Sequence, residues 1–357
     1  MNKTPLAAIL LSACVLLAGC TCKSITVKVS NPCGPDRVQE TVSVQLHESM
    51  NADALIVKTS CGRQVPVQVV DGHLLWQASV KTGKTVKFFI SEGNRKAFET
   101  RAYSRYVPER FDDYAWENDF VAGRIYGPAL STPRTLGQDI WVKCTPRLVI
   151  DEWFAKDDYH KNHGEGMDCY KVAKTLGGGA LAPVVDGHIL IGDNYEAWKH
   201  ICDGPIRTQA EFEYSFGDFK AHRVFSLDAG TRYVKTVMTY DAPTDSIDVF
   251  LGAIKHKVYG IDKGDNYIAF TEPASDYADP DRDGDISVAL VFPSGIPCKY
   301  AEIDHHAGFL ARIPVGQPIT VWTASGWSQG GIENPEAWAE YVRVSSGAIL
   351  NPLQVEF

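Results

Sequence analysis

The chain has 357 residues, 45% hydrophobic and 22% charged, a composition that builds a globular core and excludes a disordered chain. Its 35 basic and 44 acidic residues give a formal net charge of -9, which argues against nucleic-acid binding through a general basic surface. An acidic substrate stays open, because a few local arginines can bind a carboxylate within an acidic protein.

The N-terminus sets the expected compartment. Met1-Asn2-Lys3 is followed by an apolar run from Pro5 to Leu17, too short to span a bilayer permanently, so residues 1–19 read as a cleaved signal peptide. Leu17-Ala18-Gly19-Cys20 resembles a bacterial lipobox, in which the cysteine, here Cys20, is lipidated after cleavage. The expected protein is exported and touches the membrane through its lipid anchor alone, in the periplasm or at the cell surface. An exported chain permits disulfides, and Cys33 with Cys61 is the candidate bridge of the first domain.

Residues 20–105 read as a small domain of short strands. Ser24–Val29, Thr41–Leu46, Val65–Val69 and Lys84–Ile90 alternate apolar and polar residues, with turn residues between them. The size and spacing suit an Ig-like β-sandwich. Residues 106–357 read as a large β domain, with strands at Asp139–Lys143, Ala210–Tyr214, Arg232–Met238, Ser246–Leu251, Ser287–Phe292 and Ile319–Trp322. Helices do not alternate with these strands, so the expected class is all-β, with a large antiparallel sandwich and few short helices. The clearest helix lies near the end. Asn334 suits an N-cap, Pro335 the first helical position, and Trp338, Tyr341 and Val342 share a face.

Four segments could carry chemistry. Residues 158–170 hold His160, His163, Glu165, Asp168, Tyr159 and Tyr170, and two glycines flank Glu165, so a loop is expected. Imidazole beside carboxylate offers an acid/base pair, against the alternative of a polar surface loop. Trp116, Glu117, Arg124 and Tyr126 mix flat apolar rings with polar partners, which suits a sugar ring as well as a buried aromatic core. Arg207, after a Gly-Pro turn, could present its fork to a substrate carboxylate, and His222 lies on the next strand. Asp279, Asp281 and Asp283 resemble the opening of a calcium loop, but the twelfth position is Leu290, so a solvated turn is the better expectation and no cofactor is required. Asp304-His305-His306 either lines the same cleft or sits on an exposed edge.

Trp116-Glu117-Asn118-Asp119, Arg124–Leu130, His163–Tyr170 and Gly204–Thr208 resemble segments of a Bacteroidetes lipoprotein family, long catalogued as a domain of unknown function. The family is associated with polysaccharide-utilisation loci and includes an ulvan oligosaccharide dehydratase. The resemblance implies a galactose-mutarotase-like sandwich and a lyase that removes water from a non-reducing-end uronic acid. Such a reaction needs three things: a neutralised carboxylate, a base for the C5 proton and an acid for the C4 hydroxyl. Arg207 or Arg124 could serve the first, His163 or His222 the second, and Tyr170, Tyr159 or the other histidine the third, with Glu165 orienting a histidine. His160, Glu117, Trp116 and Tyr126 complete the expected sugar contacts. A glycoside hydrolase or a non-catalytic glycan-binding lipoprotein are the alternatives, and the expected partner is an acidic oligosaccharide.

Overall fold

The computed structural model describes residues 24–47, 50–156, 158–274 and 278–357. The signal segment and Cys20 lie outside them. The chain divides into two compact units, residues 24–97 with 351–357, and Phe98–Leu350.

The first unit is built of two antiparallel sheets. One runs in the order Gln354–Glu356, Ile25–Asn31, Lys84–Glu92, Leu55–Thr59, Gln64–Val65, and the other Arg37–Gln45, His73–Val80, Gln68–Val70. Alternation puts Val27, Val29, Leu74, Trp76 and Ile90 into one core. The last strand of the chain returns to this unit: Val355 pairs with Val29, and Leu353 and Val355 pack on its core. The C-terminal residues therefore belong with the N-terminal sheet, where the sequence placed them in the large domain. The boundary also lies earlier than residue 105, because Ala102–Val107 already pairs into a sheet of the second unit. Cys33 and Cys61 are both free and exposed, so the expected bridge is not formed.

The second unit holds three antiparallel sheets. The first has the order Gly166–Asp168, Gln138–Lys143, Ala122–Ile125, Asp113–Asn118, Ala102–Val107. The second runs His188–Ile189, Ala180–Val185, Ser246–Ile254, His306–Pro314, Cys298–Ile303. The third has eight strands and ends in Asp285–Val291, Tyr267–Pro273 and Tyr259–Lys263. Phe212, Phe225, Phe250, Phe270 and Phe309 fill the shared core. Helix Pro335–Leu350 lies on the eight-stranded sheet, where Ala269, Ala289 and Ala324 leave room for Trp338 and Val342. Asn334 caps it by accepting from the Ala337 amide at 2.8 Å, a bond worth about 1 kcal/mol.

Two edge strands of this unit meet at a corner. Tyr259–Lys263 ends the eight-stranded sheet and Cys298–Ile303 ends its five-stranded neighbour. They approach one another where the Lys263 ammonium sits 3.7 Å from the Tyr300 ring centroid.

Candidate functional site

Two polar regions lie on either side of Tyr170. The first is buried on the first sheet of the second unit. Cross-strand pairing sets Arg124 opposite Asp139, and alternation turns Asp113, Arg124, Asp139 and Asp168 to one face. Arg124 is 4% exposed and reaches Asp139 and Asp168 at 2.9 Å and Asp113 at 3.6 Å. Its guanidinium also donates to the Tyr159 hydroxyl at 3.1 Å and lies over the rings of Tyr126, Trp141 and Tyr159. Gly166 makes this docking possible. Its φ is +135°, and a Cβ there would lie 2.0 Å from the Val142 carbonyl oxygen, so a larger residue would push Asp168 away from Arg124.

Three carboxylates share one guanidinium in a dry site. Burial pushes Asp113 up to about 6, against the pull of Arg124, and holds Asp139 well above the carboxylate range. His160 stands at the rim, 3.3 Å from Asp168 and tilted against the Tyr159 ring, their centroids 4.4 Å apart.

The other sequence-selected residues are dispersed. Trp116 is 1% exposed and packs on Phe225 in the core, so it offers no face to a sugar. Tyr126 is buried as well. Glu117 is fully buried, bonded by Lys143 at 2.8 Å and by the Val149 and Ile150 amides at the start of helix Ile150–Lys156. Arg207 donates twice to Asp228, at 2.6 and 2.9 Å, so the fork expected for a substrate is closed by an internal carboxylate. His163 is exposed beside Asp158, Glu165 pairs with Arg147, and His222 stands between Glu211 and Glu213 on an open strand face. None of these three is brought together with the others. Asp283 is engaged by Arg282 and the Asp279 amide, and Asp281 is exposed on the single-turn helix Pro280–Asp283, in place of the expected solvated turn. Among the described residues no group of three or more potential metal ligands converges.

The second region opens to solvent. A pocket of about 500 Å³ lies beside the two edge strands, lined by Lys255, His256, Val258, Glu302 and His305. Behind its wall, Glu272 is 1% exposed and receives the His256 amide at 2.9 Å and its Nδ1 at 2.8 Å. The other ring nitrogen, Nε2, lies 2.8 Å from the Lys171 carbonyl oxygen. The Lys171 carbonyl can only accept, and a carboxylate at Glu272 accepts as well, so this geometry favours a proton on each ring nitrogen, the imidazolium form. Burial works against that charge, but the Glu272 carboxylate outweighs it and raises the His256 pKa above its usual 6.5. Lys255 supplies a second cation and pairs with Glu302, which also accepts from Tyr300 at 2.5 Å.

Tyr170 joins the two regions. It packs edge-on against His256 and donates to the Ile254 carbonyl at 3.2 Å, fixing the turn that presents Lys255 and His256. Burial, then the nearby Glu272 and Asp139 charges, holds its hydroxyl protonated. It positions His256 from behind and is not itself one of the lining residues. His256, Lys255 and Glu272 were not singled out from sequence. The one signal there was Glu272, a lone carboxylate in the apolar strand Tyr267–Pro273.

The sequence is 32% identical over 281 residues to an uncharacterized protein of Formosa agariphila, spanning 71% of this chain and 69% of that one. Among solved structures, it resembles a protein in the glycosyl hydrolase family 38 from Enterococcus faecalis, with a TM-score of 0.54 and 10% identity. An alpha-mannosidase from the same organism gives a TM-score of 0.52, also at 10% identity. Each match covers 94% of this chain, which spans only about half of those chains, 47% and 46%. At that identity the likeness is one of fold: a mostly β, antiparallel, multi-sheet architecture. A profile match over residues 29–355 assigns the sequence itself, and the chain belongs to the family described as Domain of unknown function (DUF4861).

Proposed function

We propose that this protein is a carbohydrate-active enzyme that removes water from the non-reducing-end uronic acid of an oligosaccharide. The observation that carries this is the imidazolium of His256, held between Glu272 and the Lys171 carbonyl beside Lys255 at the wall of an open pocket. Two cations at one wall suit a carboxylate ligand. Pulling electron density from that carboxylate acidifies the adjacent C5–H, the step on which elimination depends. Lys255 exchanges Glu302 for the substrate carboxylate, because their pair is partly solvated and weakly held.

Glycoside hydrolysis is the competing chemistry, and the descriptions of the two fold neighbours favour it. It requires two carboxylates facing the sugar. Among the described residues the pocket lining contains one, Glu302, and that one is engaged by Lys255 and Tyr300. The proposal includes export and membrane attachment through Cys20, an acidic oligosaccharide as partner, an Ig-like first unit and a mutarotase-like second unit. The elimination draws on side chains alone.

The test is ultraviolet absorbance and mass spectrometry of uronic-acid oligosaccharides incubated with the protein. A rise in absorbance with loss of one water supports the dehydratase. New reducing ends without absorbance replace it with a hydrolase. Binding without any product replaces it with a glycan-binding protein.

A further inference from the structure

His305 sits at the second position of a two-residue hairpin turn, where the two comparable hairpins of this protein carry glycine. Three hairpins of this protein turn through two residues with positive φ. Asp71-Gly72 has φ of 48° and 73°, and Asp186-Gly187 has 52° and 82°. Asp304-His305 has 47° and 66°, between the paired residues Ile303 and His306. Such turns need φ above zero at both positions, which aspartate tolerates and glycine adopts without cost. At Gly187 a Cβ would meet nothing within 4 Å, so glycine stands there for its backbone alone. The third turn carries an imidazole where the other two carry a hydrogen. Strain of this kind gathers where a side chain is needed for function.

The surroundings of the turn are fixed on every side except that of the ring. Asp304 accepts from the Ile189 amide at 2.8 Å and pairs with His188 at 3.0 Å. His306 is buried and accepts from the Leu176 amide through Nε2 at 3.0 Å. The His305 carbonyl accepts from the Lys255 amide at 3.0 Å, tying the turn to the wall that bears Lys255 and His256. The His305 side chain itself is exposed and lines the pocket. His256 cannot act as a base while both its nitrogens donate, and the Glu302 carboxylate is engaged by Tyr300, so the exposed His305 imidazole is the best-placed proton acceptor of the lining.

We infer that His305 is the proton-transferring residue of this pocket, contacting the C4–C5 edge of a bound uronate; this rests on the proposed elimination. Its neutral imidazole takes the C5 proton while Lys255 and His256 face the carboxylate. The C5–H electron pair forms the C4–C5 double bond as the C4–O bond breaks. The same proton passes from His305 to the departing hydroxyl, which leaves as water, and the imidazole returns to its starting state.

The deciding variant is His305→Gly in the full chain. It removes the imidazole and gives the turn the residue its backbone prefers. The expected result is a melting temperature raised by about 2–4 °C and an elimination rate reduced about 10²-fold or more. Asn tolerates the left-handed region, so His305→Asn is expected to lose activity with little change in stability. A structural role alone predicts no loss of rate in either variant, and full activity in His305→Gly overturns the inference. A second readout does not depend on turnover. Titration with D-glucuronate, followed by NMR of the imidazole protons, is expected to shift the His305 signals. Unmoved signals at saturating ligand also overturn it. Failure of the wild-type protein to form unsaturated product, with His305 signals still responding to glucuronate, instead removes the elimination chemistry and leaves His305 as a ligand contact.

Discussion

The Arg124 cluster and the His256 pocket use the same materials to opposite ends. Both place a cation against a carboxylate on a β-scaffold, and Tyr170 touches the field of each. Around Arg124 three aspartates close in from neighbouring strands and the group is sealed. Around His256 the carboxylate stands behind the ring, and the charge it stabilises faces an open pocket. A buried cluster satisfied within itself contributes to fold specificity at a high cost if broken. The His256 ring is held at both nitrogens, and its charge reaches a ligand through space from the pocket side. The difference lies in which side of the pair stays open, and residue type alone does not reveal it.

Substitutions on each side put this contrast to the test. The largest effect is expected for His256→Ala, which removes a cation from the pocket wall. The rate of unsaturated product formation should fall about 10²–10³-fold, as for loss of one preorganised electrostatic contact, with the fold intact by circular dichroism. An unchanged rate would move the reaction away from this pocket. Next comes Arg124→Met, which strands three buried carboxylates. Denaturant unfolding should show a loss of about 3–5 kcal/mol, and a loss below about 1 kcal/mol would mean that the cluster is already neutral.

The pH responses of the two regions should also differ. The His256 pKa lies above 6.5, so the reaction that needs its charge should decline as pH rises through that raised value. Glu272→Gln removes the backing charge and should move this decline to lower pH; a pH–rate profile that does not move would dissociate His256 from the reaction. Asp113 runs the other way in stability. Its pKa rises from 3.8 to about 6 on folding, so the folded state holds a proton that the unfolded chain has released. That contribution is present at low pH and is lost as pH rises from about 4 to 6. Asp113→Asn should flatten unfolding free energy across this window. The smallest effects belong to His163→Ala and His222→Ala. Both are at least a third exposed beside surface carboxylates, so stability should change by less than about 0.5 kcal/mol and activity should persist.

Local pattern made much of the scaffold legible. Strand positions at Lys84–Glu92, Gln138–Lys143, Ser246–Ile254 and Asp285–Val291 follow from alternation or apolar runs. The terminal helix follows from Asn334, Pro335 and the spacing of Trp338 and Val342. The density of ionisable residues at 158–170 drew attention to that loop. Yet the segment runs into the strand Gly166–Asp168 and is not loop throughout, and that strand contributes Asp168 to a sealed cluster, while His163 and Glu165 lie at the surface beside Asp158 and Arg147.

Neighbours along the chain govern the β class, the helix cap, the turns and the acidic charge, and these are readable from the residues in order. Which charges are spent on one another is a matter of three-dimensional packing. Arg207 and Asp228 are separated by 21 positions, His256 and Glu272 by 16 and His188 and Asp304 by 116. Those pairs form because antiparallel register brings distant strands side by side, and no local pattern encodes that register. The same geometry returns the last strand to the first unit and places the Asp304-His305 turn at the rim of the pocket.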